Sequence, residues 1–142
     1  GMADLPKASF VLANPHVMVE TGRVYSGLGF GGEGGKSPTD ENRSAVFVGA
    51  AEAAGKWGLM RNDLQSVARR LYPSIDEVFE AFAGLGVEYA MLSGSGASVF
   101  APVASLEEGK ELVVRLQTAG FWAACCRSVG RDEYRRFVGL TR

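Results

Sequence analysis

Histidine and cysteine are almost missing from this chain, with one histidine and two cysteines in 142 residues. A metal centre needs several such ligands at ligand spacing. His16 follows Pro15 in a turn, with no cysteine or carboxylate cluster around it. It is read as a surface turn residue, and no metal site is expected. A Ser/His/Asp constellation cannot be argued from one histidine near the N-terminus. Cys125 and Cys126 are adjacent. Sequence neighbours rarely bridge each other, and this pair lacks CxxC spacing. Free thiols suit a reducing compartment, so a cytoplasmic location is expected. Charge of one sign is lacking too. The net charge is −1, with Lys and Arg scattered, so no basic stripe attracts nucleic acid by counterion release. No apolar run approaches the ~20 residues that span a bilayer, and no signal peptide is read, so no membrane partner is expected. Gly1 ahead of Met2 is read as an expression remnant.

What the chain does have is apolar content of 46%, enough for one domain over residues 1–142 with a real core. No internal repeat or interdomain linker is visible. Ser9 to Ala13 is a β-prone run closed by Asn14-Pro15, read as a strand entering a turn. Thr21 to Leu28 reads as a short helix, with Thr21 as N-cap and Val24, Tyr25 and Leu28 on one face. Residues 29–38 hold five glycines and a proline and read as a loop. They match G-x-G-x-x-G by letter over 29–34. A helix rather than a strand precedes them, so the match does not describe a nucleotide site. Asn42 to Gly55 is Ala-rich and expected to be helical.

Three later helices carry clearer signals. Asn62 or Asp63 can cap a helix through Leu71, with Leu64, Val67, Ala68 and Leu71 on one face. Pro73 is expected to stop it. Ser74-Ile75-Asp76-Glu77 reads as a capping box for the next helix, with Ile75, Val78, Phe79 and Phe82 facing a core. Gly84 and Gly86 end that helix. Ser105-Leu106-Glu107-Glu108 is a second capping box, continued by Leu112, Val113 and Leu116 and closed by Gly120. Phe121 to Cys126 is the last strand. Acidic pairs such as Asp132-Glu133 complement helix dipoles. The β–β–α–β run predicts an α+β fold, a ferredoxin-like α/β sandwich.

The sharpest feature is Ser93-Gly94-Ser95-Gly96, a loop of serine and glycine between two strand-like runs, Glu88 to Leu92 and Ala97 to Ala101. With no side chains in the way, backbone N–H groups can approach another surface or an anion. The plain alternative is a hairpin loop chosen for turn geometry. Together with Asn62-Asp63-Leu64, this segment resembles the C-terminal domain of the GHMP small-molecule kinases. Within that superfamily it is similar to the 4-diphosphocytidyl-2-C-methyl-D-erythritol kinases of non-mevalonate isoprenoid synthesis. Asn14-Pro15, Thr21 and Val24-Tyr25 add to that likeness. The resemblance spans about residues 9–103.

The resemblance implies a substrate-side domain. It implies that Ser93, Gly94, Ser95 and Gly96 pack beside the nucleotide loop of a partner domain. It implies substrate-binding roles for Thr21, Tyr25 and Asp63, with the Tyr25 ring against a cytosine. Against this, Tyr25 can be a half-buried helix residue and Asp63 a cap. Similar kinases usually carry Glu where this chain has Gln65, a departure that weakens any claim of a required charge there. ATP and Mg²⁺ are implied for the complete kinase and no cofactor for this chain. The family's Pro-x-x-x-Gly-Leu-Gly-Ser-Ser loop, Lys and Asp are not found. The N-terminal kinase domain is therefore expected to be absent, with no catalytic residue in the chain, which is expected to be inactive by itself. The partners implied are that kinase domain or a second copy as a homodimer, and a small-molecule substrate. A free-standing ferredoxin-like module that binds a small ligand is the other class, and the relic of a split kinase gene a third. An uncovered, sticky face is expected from Met91 to Val99 and at Tyr25. In the complete two-domain enzyme, Gly96→Val is expected to lower activity far more than stability.

Overall fold

In the computed structural model, residues 7–29, 57 and 60–139 are described. The expected loop from residue 30 onward and the helix over Asn42 to Gly55 lie outside them. The elements are β1 (Ser9–Asn14), α1 (Thr21–Ser26), α2 (Leu64–Leu71), α3 (Pro73–Gly84), β2 (Met91–Leu92), β3 (Val99–Val103), α4 (Leu106–Thr118), β4 (Trp122–Arg127) and α5 (Arg131–Phe137). The strands form one sheet in the order β2-β3-β1-β4. β1 is antiparallel to β3 and β4, and β3 to β2. β1 and β2 therefore run the same way with β3 between them, the split arrangement of the ferredoxin-like fold.

Alternation along β1 decides which face is covered. Val11 and Ala13 are fully buried, and across the ladder they meet Ala101 and Val99, also fully buried. Ile75, Val78 and Phe82 from α3 and Leu112 and Leu116 from α4 complete this core. Each fully buried side chain of that size contributes roughly 1.5–3 kcal/mol of transfer free energy. The opposite face carries Phe10, Leu12, Met91, Phe100 and Pro102, all partly exposed. Trp57 packs edge-on against Phe10 there, with ring centroids 5.4 Å apart.

Leu92, Ala97 and Val99 are buried. The expected sticky stretch from Met91 to Val99 thus has most of its apolar side chains inside the core, and only Met91 reaches the open face.

The corner between α2 and α3 departs from the sequence reading. Pro73 does not merely stop α2. It opens α3 as the first helical residue, and Tyr72 alone separates the two helices. Proline suits that position because its missing N–H would have no helical partner and its φ is already set. Ser74 therefore lies inside the helix and caps nothing. Asp76 is instead bonded to Arg69 Nε at 2.6 Å, across the corner between α2 and α3. Arg69 also lies over the Phe79 ring, 4.4 Å from its centroid. At α4 the cap is as read: Ser105 Oγ accepts from Glu108 N–H at 3.2 Å. Glu108 reaches back to the Ala104 N–H, at 3.1 Å. The helix α5 extends the expected order, and Arg127 on β4 forks onto Glu133 in its first turn.

Candidate functional site

The Ser-Gly loop is the hairpin between β2 and β3. Ser93 N–H donates to Ser98 O at 2.8 Å, and Gly96 N–H to Ser93 O at 3.0 Å. Gly94 (φ +58°) and Gly96 (φ +98°) both have positive φ, where a side chain is strained. Ser93 and Gly94 are exposed. The two glycines differ in surroundings. A Cβ at Gly94 would meet open space, whereas one at Gly96 would lie 3.1 Å from Leu92 Cδ1 and 3.2 Å from Ile75 Cδ1. Gly96 is thus pressed onto the core. A Gly96→Val change is therefore expected to cost stability as well as any activity.

Three side chains distant in sequence hold the loop. Thr21 Oγ1 lies 3.0 Å from Ser95 Oγ. Asn62 Nδ2 donates to Leu92 O at 2.8 Å and to Gly94 O at 2.7 Å. Asn14 Nδ2 donates to Ser98 Oγ at 3.1 Å. Asn14 also sets the turn after β1, where its Oδ1 accepts from His16 N–H at 2.8 Å. His16 is exposed there with φ +60°.

Thr21 was expected as the N-cap of α1. Glu20 holds that position, and Thr21 is the first helical residue. Its hydroxyl is therefore free to reach Ser95. Tyr25 follows one turn later on the same stripe of the helix. It was expected on the apolar face with Val24, but its side is 53% exposed while Val24 is fully buried. The ring is available to a flat ligand. Asp63 occupies the N-cap position of α2 without a side-chain cap bond. The capping oxygen comes from Asn62, whose Oδ1 accepts from Leu64 N–H at 3.0 Å. Asp63 is exposed next to Asn62. The structure thus brings Thr21, Ser95, Gly94 and Asn62 into one bonded group, with Tyr25 a turn away and Asp63 adjoining it.

Asn14, Asn62 and Gln65 were not among the candidate residues. Asn62 had a signal in the sequence, as a cap, but nothing there linked it to a carbonyl 32 residues away. Asn62, Asp63 and Gln65 also border an open cleft of about 710 Å³, which runs on to Trp57, Tyr89 and Phe100. The Tyr89 phenol is held above its usual range, first by a hydrogen bond to Glu88, then by that carboxylate's charge and by burial. Among the described residues no three of His, Cys, Asp and Glu gather to hold a metal ion. None of their helices is long and apolar enough to cross a membrane.

Comparison with known proteins gives this arrangement a family. Residues 45–121 match the family model described as GHMP kinases C terminal. The chain is 33% identical over 127 residues to the 4-diphosphocytidyl-2-C-methyl-D-erythritol kinase of Syntrophus aciditrophicus, covering 89% of this chain and 43% of that protein. It is 33% identical over 116 residues to the same-named kinase of Moorella thermoacetica, covering 80% of this chain and 40% of the relative. The chain thus spans about two fifths of the length of these curated relatives. A crystal structure of 4-(cytidine 5'-diphospho)-2C-methyl-D-erythritol kinase superposes with a TM-score of 0.63 at 24% identity, over 90% of this chain and 44% of that one. Homoserine kinase from Cytophaga hutchinsonii superposes with a TM-score of 0.59 at 18% identity, over 89% and 43%. At such identities the two structures show the shared fold. With more than half of its length matched by the family model, the chain belongs to the GHMP kinase C-terminal domain family.

Proposed function

We propose that this chain is the substrate-side domain of an ATP-dependent kinase that phosphorylates an alcohol group of a cytidine-diphosphate-linked erythritol, in isoprenoid precursor synthesis. The observation that carries this reading is the Thr21–Ser95 contact. It seats α1, with its exposed Tyr25 ring, against the Ser-Gly loop. A ring so placed can stack on a pyrimidine through dispersion and π contacts, worth about 1–3 kcal/mol per base. The Thr21 hydroxyl and the loop then border the same ligand, and the exposed Asp63 carboxylate can accept from its hydroxyls.

Phosphoryl transfer also needs a phosphate cradle, Mg²⁺ ligands and a group that positions the nucleophile. The described residues do not fit a Mg²⁺ site, since their acids are not clustered. We therefore assign ATP, Mg²⁺ and the catalytic groups to an N-terminal kinase domain. That domain corresponds to the remaining length of the relatives and is the partner this reading requires. We assign the protein to the cytoplasm, on the strength of its two free cysteines.

The test is a titration of the ¹⁵N-labelled chain with 4-diphosphocytidyl-2-C-methyl-D-erythritol, following amide shifts. Movement centred on Thr21, Tyr25 and residues 93–96, lost in Tyr25→Ala and kept in Tyr25→Phe, is expected. Movement around Trp57 and Tyr89 with Thr21, Tyr25 and residues 93–96 unmoved would overturn the assignment of the site.

A further inference from the structure

We propose that Asn62 and Gln65 are positioning residues, a two-armed clamp on the β2 edge that sets the Ser93–Gly96 loop. The alternation of the hairpin makes the clamp possible. Ser93 turns its N–H toward β3, where it meets Ser98 O. Its neighbour Leu92 therefore turns both its N–H and its C=O outward, away from β3. An edge strand with open backbone groups is a site of unwanted pairing and of fraying. Here α2 takes both groups: Gln65 Oε1 accepts from Leu92 N–H at 3.1 Å, and Asn62 Nδ2 donates to Leu92 O. The second hydrogen of the same Asn62 amide goes to Gly94 O, one residue into the loop. Asn62 Oδ1 meanwhile caps α2 through Leu64 N–H.

One side chain thus ties the start of a helix to the start of the loop. The helix itself is fixed by Leu64, Val67 and Ala68, all buried, so the loop inherits its position from the core. The chemistry sets the tolerance at each position. Position 65 needs an acceptor, which an amide oxygen or a carboxylate supplies equally, and no charge. Position 62 needs an acceptor and two donors on one short side chain, which asparagine alone meets among the standard residues of that length. The consequence for catalysis rests on the kinase reading above, whereas the clamp itself does not.

The two roles of Asn62 separate experimentally. Asn62→Asp keeps the capping oxygen and removes both donors. If capping is all that Asn62 does, the change is neutral, because the two residue types cap equally well. Amide hydrogen exchange by NMR on the intact chain reads the difference, with Val11 in the central strand reporting global opening. In Asn62→Asp the exchange of Ser93 and Gly96, whose N–H groups donate within the hairpin, should rise roughly tenfold relative to Val11, the loss of about one net hydrogen bond. Leu64 should stay protected. Gln65→Leu should raise Leu92 exchange by a similar factor, and Gln65→Glu should hold it within about threefold of the parent. Asn62→Ser, which keeps a capping oxygen but cannot reach Gly94, replaces Asn62→Asp if the carboxylate unfolds the chain. Loop and Leu92 rates that track Val11 in all these variants would overturn the clamp. No substrate enters the measurement, so failure of the clamp and failure of the kinase reading are separate results.

Discussion

Thr21 and Ser95, 74 residues apart, meet hydroxyl to hydroxyl at 3.0 Å. The contact joins the first turn of α1 to the tip of the β2–β3 hairpin, and either oxygen can donate. Its energy is modest because both groups are exposed to water. A double-mutant cycle of Thr21→Val and Ser95→Ala should give a coupling of about 0.5–1 kcal/mol in denaturant unfolding. A coupling near zero would mean that α1 is held without this contact, by Val24 in the core and by the Tyr72 hydroxyl on Glu20 N–H.

The two loop glycines should respond differently to alanine. Gly96→Ala forces a side chain to φ +98° and against Leu92 and Ile75, so a loss of about 2–4 kcal/mol is expected. Gly94→Ala has open space and φ +58°, in the left-handed region, and should cost only about 1–2 kcal/mol. Melting temperatures of the two variants give the order directly. Equal losses would contradict the packing of Gly96 on the core.

Gly109 makes a similar demand in the middle of α4. A Cβ there would approach Cys125 Sγ to 2.5 Å, with Val103 and Val11 just beyond. The helix lies against the sheet at this point only because the residue has no side chain. Gly109→Ala should therefore destabilise by about 1–3 kcal/mol, although alanine is the better helix former. Adding Cys125→Ala removes the sulfur, and the double variant should recover at least about 1 kcal/mol of that loss.

Low pH should release the C-terminal helix first. The Arg127 hydrogen bonds hold the Glu133 carboxyl below its ordinary range against the opposing effect of burial, with the charges of Arg127, Lys7 and Arg136 adding to the lowering. A carboxylate whose pKa is lowered on folding contributes stability above its unfolded value, and loses it as pH falls through the depressed folded value. α5 buries no residue, and Phe137 is 89% exposed, so the Glu133 bonds carry much of its attachment. Chemical shifts of Tyr134 and Phe137 should move toward coil values below the usual carboxylate range, while Val11 and Phe82 stay native. Glu133→Gln should show the released helix already at neutral pH.

The parts of this fold that were legible in the sequence are those governed by a local period. Ile75, Val78, Phe79 and Phe82 recur at helical spacing and are all buried. Ser9 to Ala13 reads as a strand and forms β1, although its unbroken apolar run does not say which residues face inward. Ser105 announces its cap by a spacing of three. What escaped depends on partners far along the chain. No local rule makes Gln65 meet Leu92, or Thr21 meet Ser95, so Thr21 read as a cap and Gln65 as a missing charge. Pro73 was read as a stop because proline ends a helix and begins one equally well, and the pairing of Arg69 with Asp76 across that corner has no signature of its own. In the candidate site, the Ser-Gly loop was visible by composition, while its three tethers were not.

Reconstitution of activity tests the central claim most directly. The N-terminal portion of the Syntrophus aciditrophicus kinase, up to the point where its similarity to this chain begins, would be joined ahead of this chain. ADP release from ATP, Mg²⁺ and 4-diphosphocytidyl-2-C-methyl-D-erythritol would be measured. The account predicts turnover in the ordinary kinase range of about 1–100 s⁻¹ for the joined protein, none for this chain by itself, and a KM raised roughly tenfold or more by Tyr25→Ala. Turnover by the 142-residue chain alone, or a folded joined protein that releases no ADP, would contradict it.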